Sequence, residues 1–167
     1  MIARILQLNL KPQTPGQPGL PKSSVPVLLV SLTGASGDFN AYRTRQLGGD
    51  PDQALLLLTT EIIQRLNAEG WPVLPGDLGE NITLDGIPDA ALRPGTRLRN
   101  EELLIEVTRA CDPCVNLYTL PYVGDEKGPA FLKATTGRRG WYARVLKGGK
   151  LREGASLEVL SGNEKKR

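Results

Sequence analysis

The sequence contains no histidine. This removes the commonest general base, the commonest metal ligand, and every Cys–His or Ser–His nucleophile pair. Any chemistry falls to thiolate, carboxylate, lysine, arginine or a bound cofactor. Aromatic residues are scarce as well, with two tryptophans and two phenylalanines, so a surface that stacks successive bases has little to build on. Charge of one sign is not abundant: 21 Lys and Arg against 18 Asp and Glu leave a formal +3. Nucleic-acid binding usually needs a denser basic stripe. An anionic small molecule suits the local cluster "RRGWYARVLKGGKLR" better than a polymer does. Long hydrophobic runs are also missing. "VPVLLV" and "ALLLL" fall far short of the roughly 20 apolar residues of a membrane span. The N-terminus "MIARILQLNLKPQ" has neither the apolar centre nor the cleavage site of a signal peptide. The expectation is a cytoplasmic protein with no membrane or nucleic-acid partner. Its two cysteines would then be reduced at rest.

The 19 glycines and 13 prolines among 167 residues favour frequent turns over long helices, and so a mostly β fold. The length fits a single domain spanning 1–167. Residues 2–9 alternate apolar and polar as a strand does. Residues 11–24, rich in proline and glycine, read as a loop that can act as a lid. Residues 25–34 read as a second strand. The polar stretch 35–53 reads as a long loop. "QALLLLT" reads as a buried strand, with a helix following from Thr60 to a stop at Gly70. Shorter strands are expected at 81–86, 96–100, 102–110, 140–149 and 155–161, with a short helix or strand in "GPAFLKATT". The tail 161–167 is polar. Strands joined by short glycine-containing turns suggest a barrel or a sandwich.

Both cysteines lie in "TRACDPCVNL", residues 108–117. Structural zinc needs four ligands, and two cysteines without histidine close the set only with carboxylates or across a dimer. A thioredoxin-like pair normally opens a helix, whereas here "VNLYTLPYVG" follows, with poor helical spacing. Two small buried hydrophobes form a third reading. The fourth is a single reactive or metal-ligating thiolate, Cys114, in a basic pocket. Arg109 is the nearby cation, because an adjacent positive charge favours thiolate, and a soft thiolate suits a thiophilic metal or a persulfide. Elsewhere, Lys133, Arg138 and Arg139, with Thr135, Thr136 and Gly137, form a cluster suited to a phosphate. Each is equally well a solvated basic turn. Asn81 can donate and accept at once, or cap a turn, and Thr83 faces the same way in a strand. Trp141 and Tyr142 read as barrel core. Asp38 reads as a loop acid or a turn residue, and Lys22, Ser23 and Ser24 can reach an anion.

"PGDLGENITLDGI", "LRPGTRLR", "LIEVTRACDPCVNL" and "GPAFLKATTGRRGWYARVLKGGKLREGASLEV" follow one another as the motifs of the MOSC domain do. The name denotes the C-terminal domain of molybdenum-cofactor sulfurase. The sequence resembles a small stand-alone member of that family, with its core at about residues 37–159. The resemblance implies a mostly antiparallel β-barrel with a few short helices. It implies binding of the molybdenum cofactor, with Cys114 as molybdenum ligand and as the catalytic group. Arg109, Asn81, Thr83, Lys133, Arg138 and Arg139 would hold the cofactor. The implied activity is reduction of N-hydroxylated compounds, supplied by an electron-donor protein. The alternative it implies is a persulfide carrier on Cys114, loaded by a sulfur-donor protein. Cys111 has no fixed counterpart in the family pattern. The histidines that many stand-alone relatives carry in the early loop are missing from "GASGDFNAYRTRQLGGDPDQ".

Overall fold

The computed structural model describes residues 1–12, 14–39 and 49–162. Eleven strands among them form two sheets. In chain order they are β1 (Ile2–Leu10), β2 (Ser23–Val25), β3 (Val27–Ser31), β4 (Gly34–Ala35), β5 (Leu55–Thr59), β6 (Ile82–Asp85), β7 (Arg97–Arg99), β8 (Leu104–Ala110), β9 (Trp141–Lys147), β10 (Gly149–Arg152) and β11 (Ser156–Leu160). Helices α1 (Thr60–Ala68) and α2 (Gly124–Thr135) complete the regular elements, with three short 3-10 turns.

The larger sheet runs β11-β7-β8-β9-β5-β6-β1-β2, and β11 also pairs with β1. That pairing closes seven strands into a barrel and leaves β2 as an added edge. Closure removes the open edges of a free sheet. The smaller sheet, β10-β3-β4, packs beside it.

The barrel is mostly antiparallel, as expected, but mixed: one of its pairings is parallel. β5 and β6 are parallel, with Leu57 opposite Ile82 and Thr59 opposite Leu84. Parallel neighbours need a crossover, and α1 lies within the connection between them. The same crossover explains the unbroken apolar run in β5, whose five residues are all buried. A strand covered on both faces has no polar face to alternate with. Leu55 and Leu57 join the cluster inside the barrel, with Ile5, Ile82, Ile105 and Val145. Leu58 joins a second cluster with Ile62, Leu66, Leu78, Leu117 and Phe131. Phe131 anchors that cluster, meeting Trp71 edge-on at a centroid distance of 4.9 Å and Tyr122 at 5.9 Å.

The split of residues 53–70 into strand and helix holds, with the boundary at Thr59/Thr60. Several elements differ from the sequence reading. Ser23–Val25 forms β2 at the end of the expected loop 11–24, the expected strand 25–34 divides into β3 and β4, and Gly149–Arg152 forms a separate strand β10 against β3, where one strand is expected to run from 140 to 149. Helix α2 begins at Gly124 and carries Pro129 inside it, where a proline suggests a later start. The expected loop over 35–53 lies partly outside the described residues. No helix among the described residues is long and apolar enough to cross a membrane.

Candidate functional site

A cavity of about 580 Å³ opens where β8 ends and β9 begins. Its floor is set by strand register. Arg109 in β8 lies opposite Tyr142 in β9, and Tyr142 lies opposite Leu56 in β5. All three line the cavity, because their shared row points away from the barrel interior, where Leu57 and Ala143 point. Tyr142 therefore belongs to the site, which corrects its reading as barrel core. Trp141, one residue earlier, packs against the barrel cluster and donates to Asp89 at 3.3 Å. On the open side the proline-rich strap from Thr14 to Leu20 forms a wall.

Beyond Ala110 the chain leaves the sheet. Cys111 keeps one last ladder bond, its N–H donating to the Gly140 carbonyl at 2.9 Å. Asp112 and Pro113 then turn the chain, and Cys114 faces the same cavity as Cys111. Cys111 is buried and Cys114 half-buried.

The cation at Cys114 is Arg139, not the sequence neighbour Arg109. Arg139 is 8% exposed. Its Nη1 donates to Cys114 Sγ at 3.0 Å and to the Asp112 carbonyl at 3.1 Å, while its Nε donates to the Leu78 carbonyl at 3.3 Å. Burial works against the charge of Arg139, yet the two cysteines and Tyr142 outweigh it and hold its basicity above the usual value. Burial also pushes the Cys111 thiol up, with Arg139 and a hydrogen bond to Tyr142 pulling the other way. The Tyr142 phenol is pushed up by burial and then by Cys111, so it stays protonated and can donate. Arg109 stands further out, its guanidinium 5.9 Å from the Tyr142 ring centroid and 3.9 Å from Asp50. Lys22 lines the cavity from the end of the strap and pairs with Asp38 at 2.6 Å, both nearly buried.

The remaining sequence candidates fall elsewhere. Arg138 donates bidentately to Glu69, at 2.6 and 2.7 Å, and does not line the cavity. Lys133 is exposed in the last turn of α2. Asn81 and Thr83 are buried in the wall behind the cavity. The Asn81 side chain accepts from the Leu56 N–H at 3.1 Å and donates to Asp38 at 2.9 Å, fixing β5 and the Asp38 loop together. Thr83 accepts from Asn9 at 3.2 Å and donates to Glu80 at 2.9 Å. Asp38 is thus the counter-ion of Lys22 and a hub of that wall. The Lys22–Asp38 pair leaves no trace in the sequence, because only the fold brings residue 22 against residue 38.

Glu80, at the end of this wall, is fully buried, and burial raises its carboxyl to about 7 against bonds from Gly76, Glu80 and Thr83 that favour its charge. Its unfolded value is near 4.5. The neutral form is therefore favoured in the fold, and its contribution is complete below about pH 4.5 and lost as pH rises through 7. Stability is expected to fall by about 3 kcal/mol over that window, and Glu80→Gln is expected to flatten the slope. Denaturant unfolding at several pH values measures both slopes; identical slopes in the two proteins would refute the assignment.

A β-barrel carrying a cysteine–arginine cavity at its rim is the class these features define. The MOSC domain model matches residues 44–158, more than half of the chain, and the chain belongs to the MOSC domain family. The protein YiiM of Escherichia coli is 30% identical over 138 residues, covering 80% of this chain and 59% of that protein. The chain therefore spans less than two-thirds of YiiM. YflK of Bacillus subtilis is 29% identical over 175 residues, 96% of this chain and 75% of that one. Among solved structures, YuaD of Bacillus subtilis superposes with a TM-score of 0.76 at 20% identity, covering 95% of this chain and 96% of that one. YiiM of Geobacillus stearothermophilus gives 0.70 at 26% identity, over 95% and 75%.

Proposed function

We propose that the cavity binds a molybdenum cofactor, with Cys114 as the protein's ligand to the metal, and that the protein reduces N-hydroxylated compounds. MOSC domains are associated with molybdenum-cofactor-related proteins. The observation that carries the reading is the contact of Cys114 Sγ with a buried guanidinium inside a cavity large enough for a pterin. The donor set fits the group. Among the described residues no three His, Cys, Asp or Glu side chains gather to hold a metal alone. A single thiolate suits a metal whose other ligands come from an organic cofactor. Arg139 holds the sulfur in place and balances its charge when ionised. Lys22 and Arg109, on the cavity wall, would face the cofactor phosphate. When bound, the cofactor supplies two-electron redox chemistry. The protein's own part is to orient the ligand sulfur, keep the strap over the opening and present the Tyr142 hydroxyl as a hydrogen-bond donor at the floor. An electron-donor protein completes the cycle.

Protein expressed in a host that makes the cofactor is expected to carry molybdenum and pterin near stoichiometry. Absence of both from folded protein would overturn the reading. The second reading, a sulfur carrier, is favoured by one observation: Cys114 is only half-buried, so a donor protein can reach it. A reducible mass increment of one sulfur, absent in Cys114→Ser, would distinguish it.

A further inference from the structure

Both cysteines face one cavity, yet the cofactor reading uses one of them. Their sulfurs share a bridge. Cys111 Sγ donates to the Asp112 carbonyl at 3.6 Å. Arg139 Nη1 donates to that same oxygen at 3.1 Å and to Cys114 Sγ at 3.0 Å. The Asp112 carbonyl thus links Cys111 to the guanidinium that holds Cys114, and only Asp112 and Pro113 separate the two cysteines in the chain. Tyr142 lines the same cavity beside Cys111. A cysteine placed only to fill space needs none of these polar neighbours.

We propose that Cys111 is the resolving thiol of Cys114, closing an intramolecular disulfide once a peroxide has oxidised Cys114. In the first step the Cys114 thiolate attacks one peroxide oxygen. The O–O bond breaks, hydroxide leaves, and Cys114 becomes a sulfenic acid, a two-electron oxidation. In the second step the Cys111 sulfur attacks Cys114 Sγ. The S–S bond forms, the S–O bond breaks, and the hydroxyl leaves with the Cys111 proton as water. Two thiols lose two electrons and two protons, and the peroxide becomes two waters. A dithiol reductant reopens the bridge by exchange.

The geometry orders the two steps: Cys114 is the more exposed sulfur and meets the peroxide first, while Cys111 waits buried three residues away on the same cavity wall. The disulfide leaves no thiolate for a metal, so the oxidised protein cannot be loaded at this site. The inference does not depend on the cofactor reading.

The test uses the full cofactor-free chain, treated natively with a small excess of hydrogen peroxide and read by intact mass and peptide mapping without reductant. Expected is monomer that has lost two hydrogens, mapped to Cys111–Cys114 and restored by dithiothreitol. Cys111→Ser and Cys111→Ala should instead gain one oxygen on Cys114, trapped by dimedone, and then further oxygens. Wild-type protein that gains oxygens without losing hydrogens, or that bridges only between chains, overturns the proposal. The wild-type readout stands even if a variant fails to fold. Because no metal is used, failure here leaves the cofactor reading intact, and a molybdenum-free protein leaves this one intact.

Discussion

Cys114→Ser is expected to lose at least about 100-fold in cofactor retention, while Arg138→Ala and Lys133→Ala stay within about twofold of the parent. A serine hydroxyl is a poor ligand for a thiophilic metal, and the change removes the sulfur that buried Arg139 Nη1 contacts at 3.0 Å. Arg138, by contrast, already spends both terminal nitrogens on Glu69. Molybdenum and pterin contents of the purified variants measure the difference. A loss in Arg138→Ala as large as that in Cys114→Ser would move the phosphate to the end of α2 and overturn the assignment to the cavity.

The second large effect is on stability and comes from one backbone position. Gly140→Ala is expected to cost about 3 kcal/mol. Gly140 has φ +103°, where side chains are strained, and a Cβ built there overlaps the Leu57 carbonyl oxygen. Its own carbonyl receives the Cys111 N–H. Relief of the overlap must therefore push β9 away from β5 or pull at the turn that carries both cysteines. Chemical denaturation gives the stability, and thiol labelling of the native variant gives the second readout, with faster labelling of Cys111 expected. A change below about 1 kcal/mol would mean that the backbone yields there without strain.

Much of the β framework is legible in the sequence, because alternation and continuous apolar runs report burial directly. The "QALLLLT" run and the helix after it fall where β5 and α1 lie. The parallel pairing of β5 with β6 is not legible, since a two-faced buried strand and a buried helix segment leave the same apolar trace. At the site, sequence proximity is a poor guide to charge. Arg109 is five residues before Cys114, yet the guanidinium on that sulfur comes from Arg139, 25 residues downstream. Adjacent arginines 138 and 139 look alike on paper. The turn after α2 sends one outward to Glu69 and the other inward to Leu78, Asp112 and Cys114. Asn81 and Thr83 follow the strand period, but two of their partners come from afar: Asn9 through the pairing of β1 with β6 and Asp38 through the loop that follows β4.

β5 contributes Leu57 to the cluster within the barrel and Leu58 to the cluster beneath the helices. Melting either cluster must expose this strand, and with it the packing of the other, so the two unfold in one cooperative transition. Traffic into the cavity therefore passes by the strap, whose displacement leaves the barrel cluster untouched and draws only Leu20 out of the second.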